Sequence, residues 1–190
     1  APALVFYAAY IAAIVWFAAV AILVLLVGLW SQLERFFIFF PTGEVRYTPN
    51  DVGLDYEEVF FPTSDGHRLH GWYVPGDSGT TLLWFHGNGG NISHRLGSIL
   101  TFNQLGMHVL IFDYHGYGAS TGRPGEEETY LDVQACWKHL VETRGVPPSQ
   151  IVLFGRSLGG AVAAWLATQV SPRALVLESS FTSVDCVACA

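Results

Sequence analysis

Residues 150–160 read Q-I-V-L-F-G-R-S-L-G-G, and the fold is decided there. Residues 151–154 are a short apolar run of the kind that forms a buried strand. The run leads directly into Gly155-Arg156-Ser157-Leu158-Gly159, a G-x-S-x-G pattern. Residues 161–167 follow, rich in helix formers. A bare G-x-S-x-G is common by chance. Strand, Gly-flanked turn and helix together predict a sharp elbow that lifts the Ser157 hydroxyl above a sheet. The plain alternative is a Gly-rich strand-to-helix turn with no chemistry.

Upstream, the pattern alternates between strands and helices. Residues 81–85 (T-L-L-W-F) predict a buried strand, followed by the loop His86-Gly87-Asn88-Gly89-Gly90-Asn91. Residues 92–105 predict a helix, 107–112 another buried strand, and 113–118 (D-Y-H-G-Y-G) a loop. Glu126-Glu127-Glu128 suits a helix start, where the dipole favours acids. Tyr130, Val133, Trp137, Leu140 and Val141 mark the apolar face of that helix. Downstream, residues 174–177 predict a further buried strand ending in Glu178-Ser179-Ser180. Nearer the N-terminus, residues 57–61 and 68–74 predict two strands joined by a turn at Ser64-Asp65-Gly66. His67 and His70 are spaced as surface-facing strand residues, and no ligand cluster accompanies them in the sequence. Continuous apolar strands alternating with helices predict an α/β fold: a mostly parallel sheet with helices on both faces.

Residues 3–30 contain no charged residue. A helix of that length exceeds the ~30 Å hydrocarbon core, so residues 1–30 are expected to form an N-terminal transmembrane helix in the lipid bilayer. A signal peptide would be shorter and would carry a basic start. Arg35 and Arg46 are too few to fix which side of the membrane the rest occupies. Residues 31–56 are expected to connect this span to a domain over 57–190. The net charge of −7 and the lack of any Lys/Arg cluster exclude a nucleic-acid footprint. The three cysteines give no disulfide framework. Cys186-Val-Ala-Cys189 lacks the further ligands of a metal site, and the glycines at 87–90 lack the Lys-Ser/Thr of a phosphate loop, so neither metal nor cofactor is expected.

Serine hydrolysis needs a nucleophile, a base, an acid to orient the base, and donors for the oxyanion. Ser157 is the candidate nucleophile. The Leu158 N–H, at the start of its helix, is one candidate oxyanion donor, and Asn88 in the glycine-rich loop is the other.

H-G-N-G-G-N at 86–91, F-D-Y-H-G-Y-G at 112–118, G-R-S-L-G-G at 155–160 and E-S-S-F at 178–181 together resemble the α/β-hydrolase superfamily. Within it they are similar to the membrane-anchored, serine-aminopeptidase-like hydrolases. The resemblance covers roughly residues 57–184. It implies attack by Ser157 on an ester, thioester or amide carbonyl of a small-molecule or lipid-like acyl substrate, with Asn88 and Leu158 as the oxyanion hole. His115 stands where these relatives usually carry Arg, a change expected to alter a contact of the loop. In this fold the triad runs Ser, then Asp or Glu, then His. Here all seven histidines precede Ser157. Glu178 and Asp185 are possible acids, but neither has a histidine after it. The expectation is a C-terminally truncated hydrolase, an incomplete α/β-hydrolase fold that lacks its triad acid and His. The alternative is a non-catalytic, membrane-tethered binding or scaffolding protein.

Overall fold

The computed structural model describes residues 2–180, with side chains described at all of these but 2–10, 12 and 30–37. Asp185 and the Cys186/Cys189 pair lie outside the described residues. The chain divides into two compact units, Ala1–Ile38 and Phe39–Ala190.

The first unit is helix α1, Pro2–Ile38. Its Ala- and Leu-rich composition favours helix, and no proline interrupts it. Ile14, Phe17, Leu25 and Leu29 are all exposed. Among the described residues no helix is long and apolar enough to cross a membrane. The helix itself runs over 37 residues. The helix expected over residues 1–30 is therefore present, but its crossing of a bilayer is not shown.

The second unit is a six-stranded sheet with helices. Its strands are β1 (Glu57–Pro62), β2 (Arg68–Val74), β3 (Thr81–Phe85), β4 (His108–Phe112), β5 (Ile151–Arg156) and β6 (Ala174–Glu178). They lie in the order β1-β2-β4-β3-β5-β6. The β4-β3-β5-β6 part is parallel, whereas β1 with β2 and β2 with β4 are antiparallel. The sheet is thus mixed, with a parallel majority and an antiparallel β1–β2 edge. A hairpin whose turn uses Gly66 at φ +88° folds β1 back on β2. The antiparallel pairing of β2 with β4 is a tertiary choice that no local pattern encodes.

Helix α2 (Leu96–Gln104), entered through a 3₁₀ turn at Ile92–Arg95, links β3 to β4. Helix α3 (Glu126–Lys138) continues into a π-turn at His139–Thr143 and links β4 to β5, and α4 (Leu158–Ala167) links β5 to β6. Strand side chains alternate between faces. Trp72, Val74, Leu82, Trp84, Val109, Ile111, Val152 and Phe154 pack with Ile92 and Ile99 at α2. Leu83, Phe85, Leu110, Phe112 and Leu153 point the other way and are fully buried, as are Val133, Leu140 and Leu166 of the other two helices. Full burial of one such side chain is worth roughly 1.5–3 kcal/mol, so both faces contribute to stability. The chain leaves β3 for β4 on one side and returns to β5 on the other. That reversal places a crevice at the carboxyl ends of β3 and β5.

Two details differ from expectation. The buried face of α3 carries Thr129, Asp132, Val133 and Cys136, while Tyr130 and Trp137 are only half-buried. A polar residue sits at the core position because His115 partners Asp132. β6 is the sheet edge, and Leu175, Val176 and Leu177 are exposed rather than buried. Among the described residues no strand pairs with its outer edge.

Candidate active site

Ser157 joins β5 to α4 at φ 55° and ψ −120°. A side chain at positive φ is strained by roughly 1–3 kcal/mol and persists only where its surroundings impose it. The Ser157 N–H donates to the Glu178 carbonyl at 2.9 Å, and the Gly160 N–H donates to the Ser157 carbonyl at 2.9 Å. The flanking glycines make the turn possible. A Cβ on Gly159 would lie 2.1 Å from the Phe85 carbonyl oxygen, and one on Gly155 would lie 2.3 Å from the Gly159 oxygen. Helix α4 thereby starts against the end of β3, and Ser157 is left partly exposed beside Arg156. The Arg156 guanidinium lies 3.8 Å from the Glu178 carboxylate, so Glu178 meets the elbow through both its backbone and its side chain.

The loop after β3 lies against this turn. A Cβ on Gly87 would stand 3.4 Å from both the Arg156 oxygen and the Ser157 Cβ. The next residue is Asn88. Its side-chain oxygen accepts from the Phe40 N–H at 3.1 Å and from the Tyr117 hydroxyl at 3.0 Å. Burial pushes the Tyr117 phenol well above its ordinary range, so it stays neutral and donates. The Asn88 carboxamide is thus a brace, and its backbone N–H has no partner among the described hydrogen bonds. The Leu158 N–H occupies the first turn of α4, where helix amides have no internal acceptor. Asn88 and Leu158 therefore offer free backbone donors from the two segments that flank Ser157.

The loop owes its shape to a segment that sequence reasoning treated as a connector. Phe39 is buried, and Pro41 bridges to Gly90. The Gly90 N–H donates to the Phe40 carbonyl and the Thr42 N–H to the Gly90 carbonyl, each at 3.2 Å. The Asn91 amide donates to the carbonyls of Thr42 at 3.0 Å and Glu44 at 2.7 Å. The Arg95 guanidinium donates to the Gly89 carbonyl. The only sequence signal of this role was the continued apolar run through Phe39 and Phe40.

Of the two histidines expected at the surface, His67 is exposed and His70 is not. His86 is fully buried against Tyr114, with ring centroids 4.5 Å apart, and its Nδ1 lies 2.7 Å from the Gly87 carbonyl. Burial depresses its pKa, against the opposing pull of Asp113. His70, expected at the surface, is buried. Its Nε2 meets Glu58 at 2.9 Å and its Nδ1 lies 3.7 Å from Asp113. The β1–β2 hairpin turns it inward toward the Asp113 carboxylate, which also accepts the Ile92 N–H at 2.9 Å. His67 does have neighbours of ligating type, Asp65 and His115. Among the described residues no imidazole hydrogen-bonds the Ser157 hydroxyl.

Residues 77–187 match the family described as serine aminopeptidase, S33. The α/β-hydrolase domain-containing protein WAV2 of Arabidopsis thaliana is 43% identical over 144 residues, 72% of this chain and 46% of that protein. An uncharacterised membrane protein of Saccharomyces cerevisiae is 35% identical over 141 residues, 72% of this chain and 50% of its own length. Among solved structures, an esterase of Pyrococcus furiosus superposes with a TM-score of 0.68 at 28% identity, covering 77% of this chain and 60% of that one. The chain spans about half the length of the curated relatives it matches.

Proposed function

The chain belongs to the serine aminopeptidase-like family of α/β-hydrolases, and on that premise we propose that it is a serine hydrolase with Ser157 as nucleophile. The observation that carries this reading is the strained Ser157, at φ 55°, with the Gly87–Asn88 loop against it. The Ser157 Oγ attacks the carbonyl carbon of an ester, thioester or amide in a small-molecule or lipid-like acyl substrate. Its proton passes to a base as the Oγ–C bond forms. The oxyanion takes the N–H groups of Asn88 and Leu158, an arrangement worth about 2.7–4 kcal/mol per donor in related sites. The leaving group departs with the proton, and water then releases the acyl group from Ser157. The esterase likeness supports this class of substrate.

The base and its acid belong, in this proposal, to the part of the fold that covers the open edge of β6. The support is the exposure of Leu175, Val176 and Leu177 together with the greater length of the relatives. The 190 residues by themselves then lack the base that makes a serine hydroxyl nucleophilic at neutral pH. A fluorophosphonate probe tests the reading on the full-length product. Labelling at Ser157 that disappears in Ser157→Ala is expected. A folded full-length protein that takes no label supports the alternative, a non-catalytic binding or scaffolding role.

For location we propose an N-terminal membrane anchor through residues 1–30. The support is the 37-residue helix α1, its exposed apolar side chains and the yeast relative's description as a membrane protein. Deleting residues 1–38 should move the protein from the carbonate-resistant membrane fraction to the supernatant. Retention of the deleted form in the pellet would defeat the anchor.

A further inference from the structure

We propose that Asp65, His67 and His115 form a binding site for one borderline divalent transition-metal ion, Zn²⁺ foremost. The site shares no residue with the Ser157 elbow or the 86–91 loop and does not depend on the hydrolase reading. Each of the three residues offers a ligand atom, and these atoms all lie within 4.8 Å of one another. The central member is His115, whose side chain is 1% exposed. Its Nε2 is buried and has no hydrogen-bond partner, although it stands 3.3 Å from the Asp65 carboxylate. A buried ring nitrogen without a partner is costly, and a cation held jointly with Asp65 and His67 removes that cost.

The surroundings hold the ligands as metal sites require. The Asp132 carboxylate accepts the His115 N–H at 2.9 Å and contacts its Nδ1. A carboxylate on one imidazole nitrogen fixes the ring and makes the other a better ligand. The hydroxyl of Thr63 donates to Asp65 Oδ1, leaving Oδ2 on the His115 side. The His67 Nδ1 lies 3.3 Å from the Thr121 hydroxyl, leaving its Nε2 open. Gly122 makes room for the pair of rings. A Cβ there would lie 2.3 Å from His115 Cδ2 and 3.2 Å from His67 Cγ.

Two imidazoles and one carboxylate suit Zn²⁺ and its neighbours, with water completing the shell. Ca²⁺ and Mg²⁺ prefer all-oxygen sites. The ion would reinforce the junction of the β1–β2 turn with the 113–122 loop, where the Thr121 N–H donates to the Arg68 carbonyl and the Arg68 N–H to the Thr121 hydroxyl, each at 2.9 Å. Its role is therefore that of a structural clip.

The test uses the full chain, chelator-treated and titrated with ZnCl₂ by calorimetry, with thermal unfolding followed in parallel. One equivalent of Zn²⁺ should bind and raise the unfolding midpoint. His67→Ala and Asp65→Asn, at exposed positions that tolerate change, should each weaken binding by at least about tenfold. His94→Ala, an exposed histidine outside the cluster, should bind Zn²⁺ like wild type. No stoichiometric binding to the wild type overturns the proposal. So does equal binding by all variants, which would mark an adventitious ion only, leaving Asp65 and His115 as a simple ion pair.

Discussion

The amide of Ser157 donates to the carbonyl of Glu178 at 2.9 Å, so the strained elbow is held by the neighbouring strand β6 as well as by its own glycines. The glycines packed around Ser157 fall into two kinds. At Gly159 an added Cβ would sit 2.1 Å from the Phe85 oxygen, where backbone meets backbone and neither can rotate away. Gly159→Ala is expected to destabilise the fold by about 1–3 kcal/mol or more, read as a lowered urea midpoint. At Gly87 the added methyl meets its neighbours at 3.4 Å, an ordinary contact. Gly87→Ala should keep the wild-type midpoint while slowing fluorophosphonate labelling, because its methyl stands beside the Ser157 Cβ. Equal midpoints for the two variants would contradict the packing described.

Asn88 serves the site through its side chain as well as its backbone. Its oxygen holds the Phe40 N–H and the Tyr117 hydroxyl. Asn88→Ala leaves the buried Tyr117 hydroxyl unmatched, at a cost of about 1–3 kcal/mol, while the exposed Phe40 N–H can turn to water, and should release the loop next to Ser157. Tyr117→Phe removes one donor cleanly and should cost only about 0.5–1.5 kcal/mol. If Tyr117→Phe proves the more damaging in urea unfolding, the brace is not where the stability lies.

The strand ends, the α4 start and the Gly-flanked turn at Ser157 were legible because each is written locally, in apolar runs and glycine spacing. The β2–β4 pairing was not, since nothing in residues 68–74 says which strand will lie alongside. Asp132 was passed over for a similar reason. It reads as a solvent-facing acid until the fold brings His115 to it. The Phe39–Glu44 segment was read as a connector because its backbone hydrogen bonds to Gly90 and Asn91 span nearly fifty residues of sequence. Of the candidate site, Ser157 and the loop at 86–91 were visible, whereas the brace from Tyr117 and Phe40 and the Asp65–His67–His115 cluster were tertiary.

Asp132 gives a third test. It is fully buried, and burial raises its pKa against the lowering effect of His115. Removing one partner of a buried pair costs about 3–5 kcal/mol because the other is left uncompensated. Asp132→Ala should fall in that range in chelator-treated protein, measured by urea unfolding. A loss under about 1 kcal/mol would show that solvent reaches the pair and screens it.

Acid should weaken the fold through His139 and His86. Both have pKa values held below the ordinary histidine value, chiefly by burial; for His139 the Arg144 charge adds to this. A group that resists protonation in the folded chain binds fewer protons there than in the unfolded chain. Its stabilising contribution is complete above an unfolded pKa of about 6.5 and is lost as pH falls toward the folded value. His115 acts in the opposite sense. Burial lowers its pKa, but Asp132 and Asp65 outweigh that and raise it, so its contribution is present at low pH and fades as pH rises through the folded pKa. His139 is the member that can be changed with least disturbance, since it is half-buried and stacks on Phe61 at 5.1 Å. His139→Gln should lower the urea midpoint by a constant amount through the lost stacking. It should also flatten the decline of that midpoint between about pH 7.5 and 5.5, because one histidine that resists protonation is gone. A variant whose midpoint falls as steeply as that of the wild type over this window would show that His139 does not contribute to the acid sensitivity.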